Sequence, residues 1–458
     1  MAATELSRRS QQSRLSPVPV ESRPATRRKR VLPLHLAPLG IDVGGTSMAI
    51  NPEARLIRFA SNSLPQSVAE TPGKYTIPEL TPFHATLRLN GFHPSMDVLE
   101  AVHTSFLQSL ENAANGQESD IAFIRHRFPK RRLLRTGVGQ ATVMGGTEFS
   151  QSTFVAENGQ IVAEIDRTDR KLKKGEDIIA TMVKSIRRWR KRGLNIHAVS
   201  GNIAMPMDVV EGTYGAVDGI PTPESQGVKG RSINLVPIGA TIREDVDDPK
   251  LRATVVNDTI AMIGHDGSTI NGTGANKGLR MVDESGNIVG VNLESGGQKL
   301  PPYFQELIKK LDALLPEEEQ NKHEFEKLTS GKYLPMLYNL AIEYLRLPAS
   351  AKVKEAKDLD PIADSDTLAG EVARTIFATS AMLEAAQYAG IYKFLGRPIT
   401  LIGDGSILKK AWYYQDMVQY GLQFFGVPEG GVTILTPKDV AMQGAINILT
   451  GSSLELAS

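Results

Sequence analysis

Residues 255–264 read VVNDTIAMIG, a β-branched run that predicts a buried strand ending at Asn257 and Asp258, directly before a helix. Polar side chains at the carboxyl end of a strand lie where open α/β sheets bind their ligands. Asp258 is therefore a candidate catalytic residue, and the N-cap of the following helix is the alternative role for the same side chain. The segment predicts an α/β sheet with a polar site at its strand ends.

Three glycine-rich turns follow other predicted strands on either side of this segment. GIDVGGTSMAI at 40–50 comes before it, and NGTGAN at 271–276 and LIGDGS at 401–406 come after it. Turns without side chains let backbone N–H groups approach phosphate oxygens, which a Cβ would obstruct. An acid at Asp42, just before the first turn, is suited to hold hydrated Mg²⁺. The series of turns favours a nucleotide site over isolated structural turns.

Composition narrows the class of protein. A chain of 458 residues favours two or three packed units, and 41% hydrophobic with 22% charged residues is typical of a globular protein. No apolar run approaches the roughly 18 residues that a membrane span needs. Cys is absent, which excludes disulfides and Cys-based zinc sites. We therefore expect a cytoplasmic protein without a membrane span.

Residues 1–36 differ from the rest of the chain, because they are rich in Ser, Pro and Arg and carry a net charge of +6. This composition predicts a disordered basic tail, and an organelle transit peptide is the alternative. Two further basic clusters, at 125–135 and 187–192, lack the interleaved aromatic residues of an RNA-binding module. We expect solvated faces there and no nucleic-acid partner.

The remaining chain alternates predicted strands with predicted helices. Helical spacing of apolar residues occurs at 96–115, 175–192, 303–314, 325–347 and 366–394. Predicted strands precede the polar turns, and a last strand and helix come from VTILTPKDVAMQGAINIL at 432–449. The alternation indicates an α/β fold.

In these motifs, and in FEKLTSGKYL at 325–334, the chain resembles the hexokinase family from about Leu39 to Ile448. FEKLTSGKYL is the most family-specific string, since other actin-like ATPases lack it. The resemblance implies α/β architecture in a two-domain actin-like ATPase (ribonuclease-H-like) fold with an interdomain cleft. The implied ranges are a small domain at 37–205 completed by 436–458, and a large domain at 206–435.

The resemblance also implies a function, the ATP-dependent phosphorylation of a hexose at its primary hydroxyl, with ATP and Mg²⁺ as cofactors. Asp258 would then be the general base. The implied sugar-binding residues are Lys229, Asn257, Asp258, Asn276, Glu294, His323 and Glu326. The implied nucleotide-binding residues are Asp42, Gly44, Gly45, Thr46, Ser47, Gly272, Thr273, Gly274, Gly403, Asp404, Gly405 and Ser406, with Asp42 holding Mg²⁺ through water. The partners are a hexose and ATP, and a monomer and a homodimer remain equally open.

The chain departs from the family at several positions. Ala49 stands where the family has a phosphate-contacting Arg, and Lys277 is a candidate replacement for that charge. Ala204, Val228 and His323 replace hydroxyl or amide side chains near the sugar, which leaves the preferred hexose open. These changes keep an alternative, a catalytically weak sugar-sensing or regulatory protein. A sugar-independent actin-like ATPase is disfavoured by the FEKLTSGKYL string.

Overall fold

The computed structural model describes residues 82–128, 133–145, 148–173, 176–205, 207–213, 216–221, 237–263, 268–271 and 274–451. The predicted basic tail and the glycine-rich turn at 40–50 lie outside these ranges. The strands are β1 (Ile124–Arg127), β2 (Gly137–Met144), β3 (Glu148–Glu157), β4 (Gln160–Lys171), β5 (Ile196–Ile203), β6 (Met207–Glu211), β7 (Val217–Pro221), β8 (Arg252–Asn257), β9 (Ser268–Asn271), β10 (Lys277–Val282), β11 (Ile288–Asn292), β12 (Ile399–Gly403) and β13 (Val432–Leu435). The helices are α1 (Pro82–Leu89), α2 (Met96–Ala114), α3 (Ile178–Lys191), α4 (Ile238–Val246), α5 (Asp258–Met262), α6 (Pro302–Asp312), α7 (Glu324–Thr329), α8 (Leu334–Tyr344), α9 (Leu359–Ala363), α10 (Leu368–Leu395), α11 (Ser406–Lys410), α12 (Tyr414–Phe424) and α13 (Val440–Thr450).

The strands form two large mixed sheets that share one topology. The five-stranded sheet has the order β4-β3-β2-β5-β8, and the six-stranded sheet has the order β1-β11-β10-β9-β12-β13. In each sheet, three strands that are consecutive in the chain pair antiparallel to one another. A later strand then pairs parallel to the first of these three, and a last strand pairs parallel to that later strand. Parallel neighbours need a crossover, and helices lie between β5 and β8 and between β12 and β13. The chain therefore builds two α/β halves with the same strand order.

The two sheets divide the chain differently from the predicted domain ranges. β8 lies beside β5 in the five-stranded sheet, although the predicted boundary at 205/206 falls between them. β1, which falls in the predicted small domain, pairs with β11 of the six-stranded sheet. Strand pairing joins segments that are distant in sequence, so the predicted ranges, 37–205 with 436–458 and 206–435, do not follow the two sheets.

Helices cover both faces of the five-stranded sheet. Ile179 and Met182 of α3 belong to the apolar cluster on one face, together with residues of α4. Met442 and Ala445 of α13 belong to the cluster on the other face. The Ser200 hydroxyl of β5 donates to the Ala445 carbonyl over 2.7 Å and fixes α13 on the sheet. A sheet buried on both faces explains why its parallel strands read as apolar runs.

The six-stranded half is built around α10, a helix of 28 residues with buried residues on every side. The Thr367 side chain accepts the Gly370 N–H at the start of this helix, and Gly396 ends it in the left-handed conformation. α2 and α12 pack against it within the largest apolar cluster. A helix that is apolar all round belongs in the centre of a core, and α10 occupies that position.

The predicted helices are confirmed with small shifts of their ends, and one of them is divided. The segment predicted at 325–347 forms α7 and α8, separated by residues 330–333 with Pro335 in the first turn of α8. Proline lacks the N–H that a continuous helix requires, so it favours a new start there. Among the described helices, none is both long and apolar enough to cross a membrane.

Candidate functional site

The end of β8 places two polar residues at the carboxyl edge of the five-stranded sheet. Asn257 occupies the N-cap position of α5, and its Oδ1 accepts the Thr259 N–H over 2.9 Å. Its Nδ2 donates to the Met205 carbonyl over 2.9 Å. Both ends of the Asn257 amide therefore have protein partners, and the predicted sugar contact of this residue would have to share them. Asn257, rather than Asp258, takes the capping position.

Asp258 is the first residue of α5 and is partly buried. Its Oδ1 accepts the Thr259 N–H over 2.8 Å. Burial raises the pKa of Asp258, hydrogen bonds from Thr259 oppose that shift, and the negative charge of Asp404 adds to it. A carboxylate whose basicity is increased in this way is suited to accept a proton.

A hydrogen-bonded row of amides and acids runs from Asp258 along the neighbouring strands. Asn276 Nδ2 donates to Thr259 Oγ1 over 3.1 Å and to Asn292 Oδ1 over 2.8 Å. Asn292 Nδ2 in turn donates to Glu294 Oε1 over 2.6 Å. Glu294 has a φ of 44°, which lies in the left-handed region that non-glycine residues rarely adopt. The network thus holds Glu294 in a strained backbone conformation next to Asp258.

Glu326 completes a group of three carboxylates. A Cβ at Gly274 would lie 3.1 Å from Glu326 Oε1, and a Cβ at Gly296 would lie 3.3 Å from Glu326 Cβ. Burial raises the pKa of Glu294 to about 7, the Asn292 hydrogen bond opposes this, and the charges of Asp258 and Glu326 add to it. Asp258, Glu294 and Glu326 therefore face one region. We call these three acids with Asn276 and Asn292 the acid–amide cluster.

The segment that carries Glu326 is fixed by two buried ion pairs on either side of it. Lys327 is fully buried and pairs with Asp312 of α6. Lys277 is fully buried, lies 2.9 Å from Glu384 Oε2 and sits over the Phe325 ring at 4.9 Å. Lys277 is thus occupied inside the core, so the prediction that it replaces a phosphate-contacting Arg is wrong.

The strands that lead into the second and third glycine-rich sequences end next to each other. β9 and β12 are parallel neighbours in which Gly403 is the register partner of Asn271. The Asp404 N–H donates to the Asn271 carbonyl over 3.0 Å, and Lys409 Nζ donates to Asp404 Oδ1 over 2.8 Å. The sequence NGTG that follows β9 and the sequence GDGS that follows β12 therefore begin at one edge of the six-stranded sheet. The charge of Asp404 also reaches Asp258, since it contributes to the raised pKa of that residue.

Several predicted site residues are not tested by these contacts. Asp42, Gly44, Gly45, Thr46, Ser47, Lys229, Gly272 and Thr273 lie outside the described residues, and their roles stay predictions. His323 is exposed and begins α7 in the left-handed conformation, three residues before Glu326. Gly405 precedes α11 and Ser406 is its first residue. In the described ranges, no group of three or more His, Asp or Glu residues is arranged to hold a metal ion.

Sequence reasoning missed a second Gly-Gly-Thr triplet, at 145–147, which stands between β2 and β3. The Gly145 N–H donates to the Glu148 carbonyl over 3.0 Å, so the two strands remain paired up to this point. Met144 is the register partner of Ile203, and Ile203 is the partner of Asn257. Gly145, the first residue of the triplet, therefore follows β2 at the same sheet edge as Asp258. Its signal was the repetition of the string at 44–46, where the preceding Asp42 made the first copy more conspicuous.

Asn292 is the other missed residue. It is fully buried and links Asn276 to Glu294, and it was visible in the sequence as the Asn of NLESGG. The position of its side chain depends on the pairing of β10 with β11, which places Gly278 opposite Asn292. A polar residue at the end of an otherwise apolar strand was the available signal.

Comparison with known proteins shows that the fold is similar to that of solved hexokinases, the two-domain actin-like ATPase fold. No protein-family model and no curated protein matches the sequence. A solved hexokinase from Schistosoma mansoni complexed with glucose superposes with a TM-score of 0.63 at 16% identity, covering 81% of this chain and 99% of that one. A second solved hexokinase gives a TM-score of 0.60 at 16% identity, covering 80% and 99%. The predicted fold class is confirmed, and the resemblance to hexokinases holds at the level of the fold.

Proposed function

We propose that the acid–amide cluster binds a hexose and that the chain phosphorylates the primary hydroxyl of that sugar with ATP. The observation that carries the proposal is the convergence of Asp258, Glu294 and Glu326 with two hydrogen-bonded amides. Burial raises the pKa of Glu294 and the charges of Asp258 and Glu326 add to that shift, so grouping these carboxylates has an energetic cost that packing alone does not offset. A polyhydroxyl ligand offers hydrogen-bond donors to each of these acids and offsets that cost.

The chemistry of a hexose fits the groups in the cluster. Ring hydroxyls both donate and accept at fixed angles, so carboxylates and amides held by a network discriminate among them. Asn276 and Asn292 are fixed by each other, and the Asn292 amide donates to Glu294, which orients the Glu294 carboxylate before any ligand arrives. A pre-oriented site loses less entropy on binding than a flexible one.

Asp258 is the proposed general base. Its carboxylate stands at the start of α5, and burial increases its affinity for a proton. In the proposed step the sugar oxygen attacks the terminal phosphorus of ATP, Asp258 accepts the hydroxyl proton, and the bond between that phosphorus and the ADP oxygen breaks, so ADP leaves with the bonding electrons. Such a base contributes mainly in the transition state and little to sugar affinity.

The proposed nucleotide site uses the glycine-rich turns at the sheet edges. Asn271 and Gly403 are register partners at the ends of β9 and β12, and β2 ends at the sheet edge that carries Asp258. When bound, Mg²⁺ and ATP supply the phosphoryl group and the positive charge that neutralises it. Turns without side chains would hold the phosphates by their N–H groups, and Asp42 and Thr46 keep their predicted role in this proposal.

The experiment for this proposal is a coupled assay of ADP release over a panel of hexoses and amino sugars. Hexose-dependent turnover is expected for the native chain. The Asp258→Asn variant keeps the shape and the hydrogen bond to Thr259 but removes the base, so its turnover should be lost. ADP release that does not depend on any sugar would contradict the proposal.

A second candidate function, sugar binding without turnover, is favoured by one residue. In DVGGT at 42–46 an acid stands two positions before the first Gly, but in VMGGT at 143–147 that position is Val143. If the sequence GGT at 145–147 forms the phosphate turn, Val143 provides no carboxylate there for hydrated Mg²⁺.

Substitution at residue 143 separates the two functions. For the binding protein, the native chain binds a hexose without releasing ADP, and Val143→Asp confers or strongly increases turnover. For the kinase, the native chain already turns over, and Val143→Asp changes the rate little. Val210→Asp, at another partly exposed strand position, is the matched control for a new carboxylate.

A further inference from the structure

A concave basic surface lies between helix α3 and the outer strands of the five-stranded sheet. The groove has a volume of about 820 Å³, and its wall on the strand side includes Phe149 and Thr168 of β3 and β4. Its cations are Arg170, Lys184, Arg187, Arg188, Lys191 and Arg192, and Asp245 is the one acid in its lining. We call this surface the basic groove. It contains none of the residues of the acid–amide cluster.

Only part of the positive charge in the basic groove is neutralised by neighbouring residues. Arg170 donates to Glu176 over 2.8 Å through Nη1, and Arg188 donates to Asp166 over 2.8 Å. Arg187 donates to the backbone carbonyl of Asp245, which removes no charge. Lys184 and Lys191 are exposed, and in the described part of the chain neither forms an ion pair. The groove therefore keeps an excess of positive charge along the helix.

The spacing of these cations gives the groove a defined geometry. Lys184 and Lys191 are seven residues apart on α3, which is two turns, or about 10 Å along the helix axis. Arg187 and Arg188 stand between them, and like charges at such spacings destabilise a helix. Folding thus works against this arrangement, and a bound anion would offset the repulsion.

The lining also contains hydroxyl side chains and one fixed cation. Thr168 lies on the strand wall, whereas Thr181 and Ser185 belong to α3, and the Thr181 hydroxyl donates to Glu176 over 2.8 Å. The Arg170 guanidinium lies 4.3 Å from the centre of the Phe149 ring and is held there by Glu176. Because the Arg170 guanidinium stacks on Phe149 and pairs with Glu176, the edge that it presents towards the groove is fixed.

We propose that the basic groove binds a small molecule bearing two or more phosphate groups, with Lys184 and Lys191 contacting different phosphates. The volume lies within the range of small-molecule sites, about 300–1,000 Å³. A single-stranded nucleic acid typically stacks its bases on exposed aromatic rings, but Phe149 is buried beneath Arg170 and Trp189 is buried against the core. The cationic cluster at 187–192, predicted to be a plain solvated face, is one wall of this site.

The experiment is a calorimetric titration of inorganic tripolyphosphate into the full chain at low salt. The native chain is expected to bind it, and Lys184→Gln with Lys191→Gln should weaken binding about tenfold or more, since each lysine makes a charged hydrogen bond. The matched control is Lys250→Gln with Lys322→Gln, two exposed lysines outside the groove, and it should bind like the native chain. Affinity of the native chain should fall as salt rises.

Three results would overturn the proposal. The first is that the native chain does not bind tripolyphosphate, and the second is that the control variant binds as weakly as the groove variant. The third is that the groove variant binds as tightly as the native chain, which would place the anion at the glycine-rich turns. Preferential binding of a single-stranded RNA oligonucleotide over tripolyphosphate would also overturn it in favour of a nucleic acid. Thermal unfolding verifies that the variants fold. If the double variant does not fold, the titration is made with the single variant Lys184→Gln.

Discussion

Glu294 gives the sharpest prediction, because its environment has an energetic signature that depends on pH. Burial raises the pKa of Glu294 from 4.5 to about 7 in the folded chain. Between these pH values the folded state keeps a proton that the unfolded state releases, so rising pH favours unfolding. Each tenfold difference in proton affinity between the two states corresponds to about 1.4 kcal/mol, so the native chain should lose about 2 kcal/mol of stability to this group between pH 5 and pH 8.

Glu294→Gln removes the titration but keeps an oxygen that accepts the Asn292 amide N–H. We expect the free energy of unfolding of the variant, relative to the native chain, to rise by about 2 kcal/mol from pH 5 to pH 8. Urea unfolding at both pH values measures it. Glu429→Gln, at an exposed position, should show no such change. A difference between variant and native chain that stays constant with pH would refute the assignment of a destabilising charge to Glu294.

Three further predictions concern individual contacts. Asp258→Asn should lower the rate of hexose phosphorylation by about 10²–10⁴-fold and leave hexose affinity nearly unchanged. Kinetic assays measure the rate and calorimetric titrations measure the affinity. A parallel loss of affinity would argue against a role as base. Gly274→Ala introduces a Cβ 3.1 Å from Glu326 Oε1 and should weaken hexose binding, whereas Gly212→Ala, whose Cβ contacts start at 3.5 Å, should not; equal effects would disprove the close approach. Lys277→Met leaves Glu384 buried without its cation and should lower the free energy of unfolding in urea by about 3–5 kcal/mol. Adding Glu384→Gln should restore most of that stability, and no restoration would mean that the two residues are not coupled.

The sequence was most informative where one local pattern combined periodicity with chemistry. VVNDTIAMIG predicted a strand, a polar edge and a helix, and β8 and α5 follow that order. Glu294 and Glu326 were identified by resemblance, and the structure brings both beside Asp258. Short-range patterns of this kind agree with the structure because the ends of strands and the starts of helices depend on neighbouring residues in the sequence.

What the sequence did not reveal depends on long-range pairing. The assignment of β8 and β1 to their sheets follows from partners dozens of residues away or more, so a linear division of the chain misplaced them. From the sequence, Lys277 was predicted to be a free cation beside a glycine-rich turn. In the structure it pairs with Glu384 of α10, and both side chains are buried in the core. The position of Gly145 at the sheet edge that carries Asp258 became visible only from the pairing of β2 with β5 and of β5 with β8.

Calorimetric titration of a hexose panel into the native chain and into Glu326→Gln tests the acid–amide cluster most directly. Saturable binding of at least one hexose to the native chain, weakened about tenfold or more when the Glu326 carboxylate is replaced, is the expected result. Absence of binding for every hexose, or equal affinity in both proteins, would contradict a sugar site at this cluster.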